Sequence, residues 1–391
     1  MKQKIGIFIP VTLGMLTAFG PFVTDFYLPL MPEMASYFKT SPSMIAMSLT
    51  ASMVGLSLGQ ILIGPLSDKY GRKHLLVVSM ALFVLSTILC ILSPNVFLFN
   101  VFRLIQGFAG AGGVVLAKSI STDMFTGKEL ADFMAILGAI HGVAPVMAPL
   151  LGGGMARFTS WRGVFCLLLA IGVVLLVCTL RLRESLTRER RSTANVLHTY
   201  GNLFWVFRNR LFTLPTLAMM FTFVTFFAYI SSSPFIFQQT YGLSPFSFSL
   251  CFALNAFMIG GGAALAAKFR KPANLLRMAS VMLMVWTVLV SLCLIFHLSL
   301  WLLMLCYLGM LLSFGLMQPV TTALALDAER ANAGAASAIF GAGGFLSGAL
   351  VSPLVSVGNM MVSTSVAMMA GALGCLIFSS ILVNTLRKRQ N

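Results

Sequence analysis

The sequence predicts an all-α membrane protein with twelve transmembrane helices in two pseudo-symmetric six-helix bundles. Of the 391 residues, 58% are hydrophobic and only 9% are charged, whereas a soluble domain carries roughly 25% charged residues. Twelve apolar stretches follow one another along the chain, and a basic segment separates the first six from the last six. A chain this apolar needs lipid around it, so the bilayer is its first partner.

Each apolar stretch has roughly 18 to 25 residues, enough for a helix to cross about 30 Å of hydrocarbon. Spans one to six are approximately Ile5–Leu28, Met44–Leu66, Leu75–Leu92, Val96–Ala117, Ala131–Leu151 and Val164–Leu182. Spans seven to twelve are approximately Leu211–Phe235, Phe246–Ala267, Leu275–Phe296, Leu300–Ala323, Ala333–Val355 and Val362–Val383. The predicted domains are an N-terminal bundle of residues 1–182, a linker of residues 183–210 and a C-terminal bundle of residues 211–391.

The distribution of Lys and Arg predicts which ends of the spans face the cytoplasm. With twelve spans both termini lie on one side, and nearly all basic residues, including those of 183–210, map to that side. Only Lys39, Arg157 and Arg162 map to the other side. Because basic loops stay in the cytoplasm, both termini and the linker are expected to be cytoplasmic. We call this side the basic side.

The two halves carry their glycine- and proline-rich span in the same place. The residues concerned are Gly138, Gly142, Pro145, Pro149, Gly152, Gly153 and Gly154 in span five, and Gly341, Gly343, Gly344, Gly348 and Pro353 in span eleven. Such a correspondence suggests a duplicated architecture, which in transporters places the substrate site near the membrane midplane. The alternative is that glycine only lets helices pack closely in lipid, and these residues alone do not decide between the two.

Three ionisable residues lie well inside the spans, where charge is costly and usually functional. They are Asp25 in span one, Arg103 in span four and His141 in span five. The depths of Asp25 and Arg103 predict that they share one level of the bilayer. Burial disfavours the charged carboxylate and a nearby guanidinium favours it, so Asp25 can gain and lose a proton. Asp25 and Arg103 are therefore the predicted proton-coupling pair, with a permanent structural ion pair as the alternative.

Gln106 and Gly107 share a helical face with Arg103, which predicts a polar, tightly packed seam. His141 has no Cys, Asp or Glu at ligand spacing, so no metal is expected there. A hydrogen-bonded packing role for His141 competes with a role in the substrate cavity.

The ten residues Gly64-Pro65-Leu66-Ser67-Asp68-Lys69-Tyr70-Gly71-Arg72-Lys73 predict a tight turn between spans two and three. Asp68 can cap a helix start or pair with a base. The candidate gate residues on the cytoplasmic side are Gly64, Asp68, Gly71, Arg72 and Lys73. A plain basic loop that only sets topology is the alternative.

Several of these motifs resemble the major facilitator superfamily. The turn Gly64–Lys73 is similar to its signature loop, Arg103-Leu104-Ile105-Gln106-Gly107 to its proton-linked fourth-helix motif, and Gly142–Gly154 to the antiporter motif of its drug-efflux branch. Alanine precedes Pro145 and Pro149 where the usual pattern has Gly-Pro. This variant resembles the bicyclomycin/chloramphenicol-resistance (Bcr/CflA) group of twelve-span drug:proton antiporters, as do Thr24–Pro29, Ser233–Phe235 and Phe252–Asn255.

The resemblance implies the major facilitator fold and proton-coupled efflux of small amphipathic, drug-like molecules across a bacterial inner membrane. It places Asp25 and Arg103 in the coupling region and Gly64–Lys73 at an inner gate. It assigns Gly142, Pro145, Pro149, Gly152 and Gly153 to the antiporter motif. The direction of transport follows from the resemblance alone. A monomer without a cofactor is expected.

A cavity for amphipathic molecules is expected to be mostly apolar, with a few polar anchors. Span seven is rich in aromatic residues, and Phe223, Phe226 and Phe227 share one of its faces. Polar side chains within the spans need a partner on another helix or in a cavity. The predicted cavity residues are Tyr27, Gln106, His141, Phe223, Phe226, Phe227, Asn255 and Gln318.

Other classes of function fit the sequence less well. Nucleic-acid binding is not expected, because the basic residues lie in short turns without a groove of interleaved aromatics. An intramembrane enzyme needs a catalytic pair such as two aspartates or a metal motif, and neither is present. A passive channel stays open as an alternative. The main alternative is a proton-linked exporter or importer of a sugar or amino acid on the same fold, although such a carrier is expected to have more polar spans.

Overall fold

A computed structural model of the protein describes residues 7–191, 204–269, 271–330 and 333–390. Within these ranges the regular structure is helical, and twelve spans are long and apolar enough to cross a membrane. The prediction of an all-α protein with twelve transmembrane helices is confirmed. Residues 192–203 of the predicted linker and the two ends of the chain lie outside the described residues.

The helices coincide with the predicted spans and are mostly longer, because several continue past the apolar stretch. Spans two to six are Pro42–Tyr70, Arg72–Ile91, Val96–Met124, Gly127–Met155 and Trp161–Arg181. Span seven is Arg210–Phe235 followed by a π-helical turn, Ile236–Thr240, and spans eight to ten are Pro245–Ala266, Pro272–Ile295 and Leu300–Ala328. Span eleven is Ala333–Val351 with a 3-10 turn at Leu354–Ser356, and span twelve is Met360–Gln390. Short 3-10 turns also form at Arg188–Arg190 and Phe204–Arg208.

Span one is broken, which the sequence analysis did not predict. Its pieces are Phe8–Thr17, Phe19–Asp25, a 3-10 turn Leu28–Leu30 and Met31–Tyr37. Proline has no N–H to donate to the carbonyl four residues earlier, so Pro21 and Pro29 favour breaks. Asp25 therefore ends a helix. It also lies twelve residues before the end of the span at Tyr37, not three before an end at Leu28 as predicted.

The predicted ten-residue turn Gly64–Lys73 is wrong in its extent. Helix continues through Asp68 to Tyr70 and resumes at Arg72, so Gly71 is the single residue between the two helices. Gly71 has φ +99°, a conformation that glycine adopts without steric cost. The mistake arose because apolar content marks the edge of the hydrocarbon, whereas a helix can continue beyond it with polar residues.

The chain divides into two compact units. The first comprises Met1–Leu28 and Ala51–Gly201, and the second comprises Pro29–Thr50 and Asn202–Asn391. The division falls inside spans one and two as well as after span six. Within the second unit, Gln238 Nε2 donates to the Pro29 carbonyl at 2.8 Å, so the last part of span one is tied to the π-helical turn of span seven. The boundaries at 183–210 stay a prediction of the sequence.

Three glycines bring spans two and four into backbone contact in the first unit. A Cβ at Gly107 would overlap with the Ser52 carbonyl oxygen, and a Cβ at Gly55 would overlap with the Leu104 carbonyl oxygen. A Cβ at Gly59 would lie 2.6 Å from the Phe108 carbonyl oxygen. Small residues at a helix interface allow this close approach in lipid. The tightly packed seam predicted at Gly107 therefore lies between spans two and four.

Gly107→Ala is expected to lower the apparent melting temperature of the purified protein. The added methyl group meets backbone, which cannot rotate away, so the two helices must separate at a cost of about 1–3 kcal/mol. The matched control is Gly142→Ala, because nothing lies within 4 Å of a Cβ at Gly142. Melting curves in detergent compare the two variants with the wild type. Equal melting temperatures for both variants would show that the seam tolerates a methyl group.

Candidate functional site

Arg103 is completely buried in the first unit. Its Nη2 donates to the Val23 carbonyl at 2.6 Å and to Ser52 Oγ at 3.1 Å, and its Nη1 donates to Gln106 Oε1. The guanidinium also lies over the ring of Tyr27, 4.5 Å from its centroid. A buried charge needs such hydrogen bonds because burial removes its hydration. Arg103 thus joins span four to spans one and two.

Gln106 extends this contact to a further span. Its Nε2 donates to Thr87 Oγ1 of span three at 2.6 Å, while its Oε1 accepts from Arg103. The side chain is fully buried, so this amide has both of its ends satisfied by protein. The predicted polar seam of Arg103 and Gln106 is therefore a hydrogen-bonded network across four helices.

Asp25 is buried, with 5% of its surface exposed. Its Oδ1 has no hydrogen-bond partner in the described part of the chain, and neither does Nε of Arg103. The ion pairs among the described residues do not include Asp25. The permanent ion pair that the sequence left open is therefore not formed in this structure. Arg103 instead holds the carbonyl of Val23, two residues before Asp25.

Because a helix of span one ends at Asp25, the carbonyl of Val23 and the carboxyl of Asp25 both lie at a helix end that is buried in the first unit. Val23 and Asp25 lie in the last turn of Phe19–Asp25, where carbonyls lack helical partners. Gly152 of span five packs directly against the Phe26 carbonyl, since a Cβ there would overlap with that oxygen. One glycine of the predicted antiporter motif thus contacts the break beside Asp25.

The other residues of that motif have different surroundings. Span five runs through Pro145 and Pro149 without a break. Gly153 and Pro149 are buried, whereas Gly142 is exposed and would accept a Cβ freely. Close packing therefore accounts for Gly152 and not for Gly142.

His141 contacts span one at another of its breaks. Nδ1 of His141 lies 3.1 Å from the carbonyl oxygen of Thr17, and because a carbonyl can only accept, Nδ1 donates. Pro21, four residues after Thr17, offers no N–H to that carbonyl. His141 replaces the missing helical donor, which supports its packing role.

Aromatic side chains form a group in the second unit. Phe226 stacks on Phe314 of span ten with ring centroids 4.4 Å apart, and Phe223 stacks on Phe227 at 5.7 Å. Phe223 also contacts Phe314 at 5.4 Å, and Phe227 contacts Phe345 of span eleven at 6.3 Å. We call these five residues the aromatic group. The structure thus brings together the three phenylalanines of the predicted cavity and adds two.

The remaining predicted cavity residues lie outside this group. Tyr27 is buried beneath Arg103 in the first unit. Gln318 is half-buried in span ten, next to Pro319 inside the helix. Asn255 is fully buried in span eight, where its Nδ2 donates to Oη of Tyr229 at 2.9 Å.

On the basic side, Arg72 is the centre of a charged network. Its Nε lies 3.1 Å from Asp123 Oδ2, and its Nη1 pairs with Asp68. The backbone N–H of Arg72 donates to Glu184 Oε1 at 2.9 Å, and Glu184 also pairs with Arg191 at 3.6 Å. The network therefore links the helix ends of spans two, three and four to the segment after span six.

Gly71 and its neighbours complete this network. A Cβ at Gly71 would collide with the Glu184 carboxylate, so glycine is required there by space as well as by φ. The backbone N–H of Lys73 lies 3.4 Å from Glu184 Oε1. Gly64 is not part of this network, and a Cβ added there would make only an ordinary van der Waals contact. The sequence analysis missed Asp123 and Glu184. The sequence feature that could have identified them is that each is an acidic residue at the end of an apolar span on the basic side.

Twelve apolar spans define a multi-pass membrane protein, and the buried arginine network and the charged turn on the basic side are compatible with a membrane transporter. The chain matches the family model "Major Facilitator Superfamily" over residues 13–353, and it belongs to this superfamily. Bacillus subtilis has a relative, the uncharacterized MFS-type transporter YdgK, that is 35% identical over 96% of this chain and 92% of its own length.

Relatives named for drug resistance match at lower identity. The bicyclomycin resistance protein homolog of Haemophilus influenzae is 26% identical over 65% of this chain and 64% of its own length. Other relatives are named for resistance to chloramphenicol or to multiple drugs. The solved structure of a D-xylose-proton symporter covers 95% of both chains with a TM-score of 0.76 and 17% identity, and it supports the fold alone.

Proposed function

We propose that the protein is a proton-coupled multidrug efflux transporter, a drug:H⁺ antiporter that works by alternating access. The observation that carries the proposal is Asp25, a buried carboxyl at a helix break with one oxygen unpartnered. Proton uptake at such a group is coupled to backbone geometry, because Arg103 holds the carbonyl of Val23 in the same helical turn. The relatives named for bicyclomycin, chloramphenicol and multidrug resistance supply the substrate class and the direction.

In this proposal, Asp25 and Arg103 couple proton movement to transport. The aromatic group binds the flat, apolar part of the drug. The Arg72 network on the basic side acts as the gate, with Gly64 and Asp68 near the end of span two, Gly71 between the two helices and Lys73 at the start of span three. The protein works as a monomer in a bacterial inner membrane, with both termini in the cytoplasm.

The second candidate is a proton-linked exporter or importer of a sugar or amino acid. The fold does not decide against it, since a D-xylose-proton symporter has the same fold. Sugar carriers need many hydrogen-bonding side chains to replace the hydration of the substrate hydroxyls. The aromatic group contains five phenylalanines and no such side chain, which favours the drug substrate.

Transport assays on the purified protein in liposomes separate these candidates. We expect an imposed pH gradient to drive movement of a chloramphenicol tracer or a fluorescent dye, and dissipation of the gradient to stop it. Sugar and amino-acid tracers are the comparison. Proton-driven movement of these tracers without movement of drug or dye would replace the proposal by the second candidate, and absence of counterflow would point to a channel.

A further inference from the structure

Tyr229, Asn255 and Tyr307 form a polar contact inside the second unit, which we call the tyrosine–asparagine group. Asn255 Nδ2 donates to Tyr229 Oη at 2.9 Å, and the ring centroids of Tyr229 and Tyr307 lie 4.8 Å apart. Asn255 Nδ2 also lies 4.0 Å from Met304 Sδ, one helical turn before Tyr307. All three members have at most 1% of their surface exposed. The group thus joins spans seven, eight and ten.

Two atoms of this group lack a hydrogen-bond partner in the described residues, namely Asn255 Oδ1 and Tyr307 Oη. Buried polar groups are nearly always paired, because an unpaired one costs about 1–3 kcal/mol. Rotating the amide of Asn255 by 180° does not remove the deficit, since one of its two polar atoms would still be unpaired. The two atoms are therefore suited to a ligand that can both donate and accept.

The tyrosine–asparagine group is next to the aromatic group along the same two helices. Tyr229 lies three residues after Phe226 in span seven, so the two share a helical face. Tyr307 lies seven residues before Phe314 in span ten, which is two helical turns on the same face. Because Phe226 contacts Phe314 and Tyr229 contacts Tyr307, the two groups are successive layers between spans seven and ten, one apolar and one with hydrogen-bonding atoms.

The charge of this region bears on the substrate. No Asp or Glu occurs anywhere between residues 211 and 326, so spans seven to ten offer no carboxylate to a cation until Asp327 at the end of span ten. A permanently cationic ligand would gain only cation–π contacts there. A neutral ligand needs no carboxylate, and it could form hydrogen bonds with Asn255 Oδ1 and Tyr307 Oη.

We propose that Asn255 and Tyr307 form the hydrogen-bonding subsite of the drug site, and that its ligands are neutral aromatic molecules carrying a hydroxyl or amide beside the ring. The inference rests on the proposed function and names its substrate class. Tyr229 positions Asn255 through their hydrogen bond. The aromatic group receives the ring of the ligand.

Binding to the purified full-length protein tests the subsite with two probes. Chloramphenicol has an aromatic ring, hydroxyls and an amide, whereas tetraphenylphosphonium is aromatic and cationic without a hydrogen-bonding group. Tyr307→Phe is expected to weaken chloramphenicol binding about fivefold, the loss of one hydrogen bond, and to change tetraphenylphosphonium binding less than about twofold. The control is Tyr241→Phe, whose hydroxyl donates to the Leu298 carbonyl at 2.8 Å and which should change neither.

The melting temperature supplies a second readout. Removing an unpaired hydroxyl should leave the melting temperature of Tyr307→Phe unchanged or raised. A lower melting temperature with unchanged chloramphenicol binding would overturn the subsite, because the hydroxyl would then be satisfied within the protein. Equal weakening of both probes would also overturn it, as a general packing defect.

The subsite and the proposed function can fail separately. If the wild type binds chloramphenicol with the expected dependence on Tyr307 but a pH gradient drives no movement, proton coupling is refuted and the subsite stands. If a pH gradient drives efflux of dyes but the wild type binds no chloramphenicol, the subsite is refuted and the proposed function stands.

Discussion

Asp25→Asn is expected to reduce proton-driven efflux to the level of liposomes without protein, while drug binding and the melting temperature stay close to those of the wild type. Asparagine has nearly the same shape as a protonated aspartate but cannot release a proton. Asp25 is buried with an unpartnered oxygen and does not form an ion pair in this structure. Neutralising it therefore breaks no salt bridge, and the loss falls on coupling rather than on stability.

The measurement is drug efflux from liposomes with and without a pH gradient, together with exchange of drug across the membrane at equal pH. We expect Asp25→Asn to retain the exchange and to lose the response to the gradient. Asp327→Asn is the matched control, because Asp327 is an exposed aspartate that pairs with Arg330 three residues later, and such surface pairs contribute little. A full gradient response in Asp25→Asn would refute the coupling role of Asp25.

Arg103→Lys is expected to lower the melting temperature strongly and to abolish transport, although the positive charge is kept. The guanidinium binds the Val23 carbonyl, Ser52 Oγ and Gln106 Oε1 at once. A lysine ammonium is compact and cannot reach all three acceptors. Hydrogen bonds to a charged group are worth about 1.5–3 kcal/mol each, so losing two of them destabilises the fold by about 3–6 kcal/mol.

Arg162→Lys is the control for this substitution. Arg162 also donates to a backbone carbonyl, that of Ile91 at 3.1 Å, and lies over an aromatic ring, that of Trp161. It differs in being only partly buried at a helix end, so water can replace what lysine loses. A melting temperature for Arg103→Lys as high as that of Arg162→Lys would mean that the buried network contributes little to the fold.

The sequence was sufficient to predict the helices, because twelve long apolar runs leave no soluble alternative. The sequence predicted less reliably where a helix breaks or where it continues beyond the apolar stretch. The breaks in span one and the helical course of Gly64–Tyr70 depend on individual prolines and on polar residues that follow an apolar run. A hydropathy profile averages over many residues, so it shows neither single prolines nor short polar continuations of a helix.

The candidate site could be predicted in its members but not in its contacts. The rarity of charge inside spans identified Asp25 and Arg103, and helical spacing identified Gln106, Phe223, Phe226 and Phe227. Nothing in the sequence indicated that Arg103 would bind a carbonyl instead of Asp25, since backbone atoms carry no pattern. Phe314 and Tyr307 were missed because they are ordinary aromatic residues in apolar runs, and only packing between distant spans brings them to the candidate site.

The glycine contact between spans two and four holds these two helices rigidly, so span one is the helix near Asp25 that can bend. Backbone packed directly on backbone at Gly55, Gly59 and Gly107 has no side chains to reorient, so this pair of helices is stiff and Arg103 is carried on it. Span one is interrupted at its prolines and therefore bends more easily than spans two and four. A change of protonation at Asp25 is therefore expected to bend span one against a fixed guanidinium, leaving the helix that bears the arginine in place.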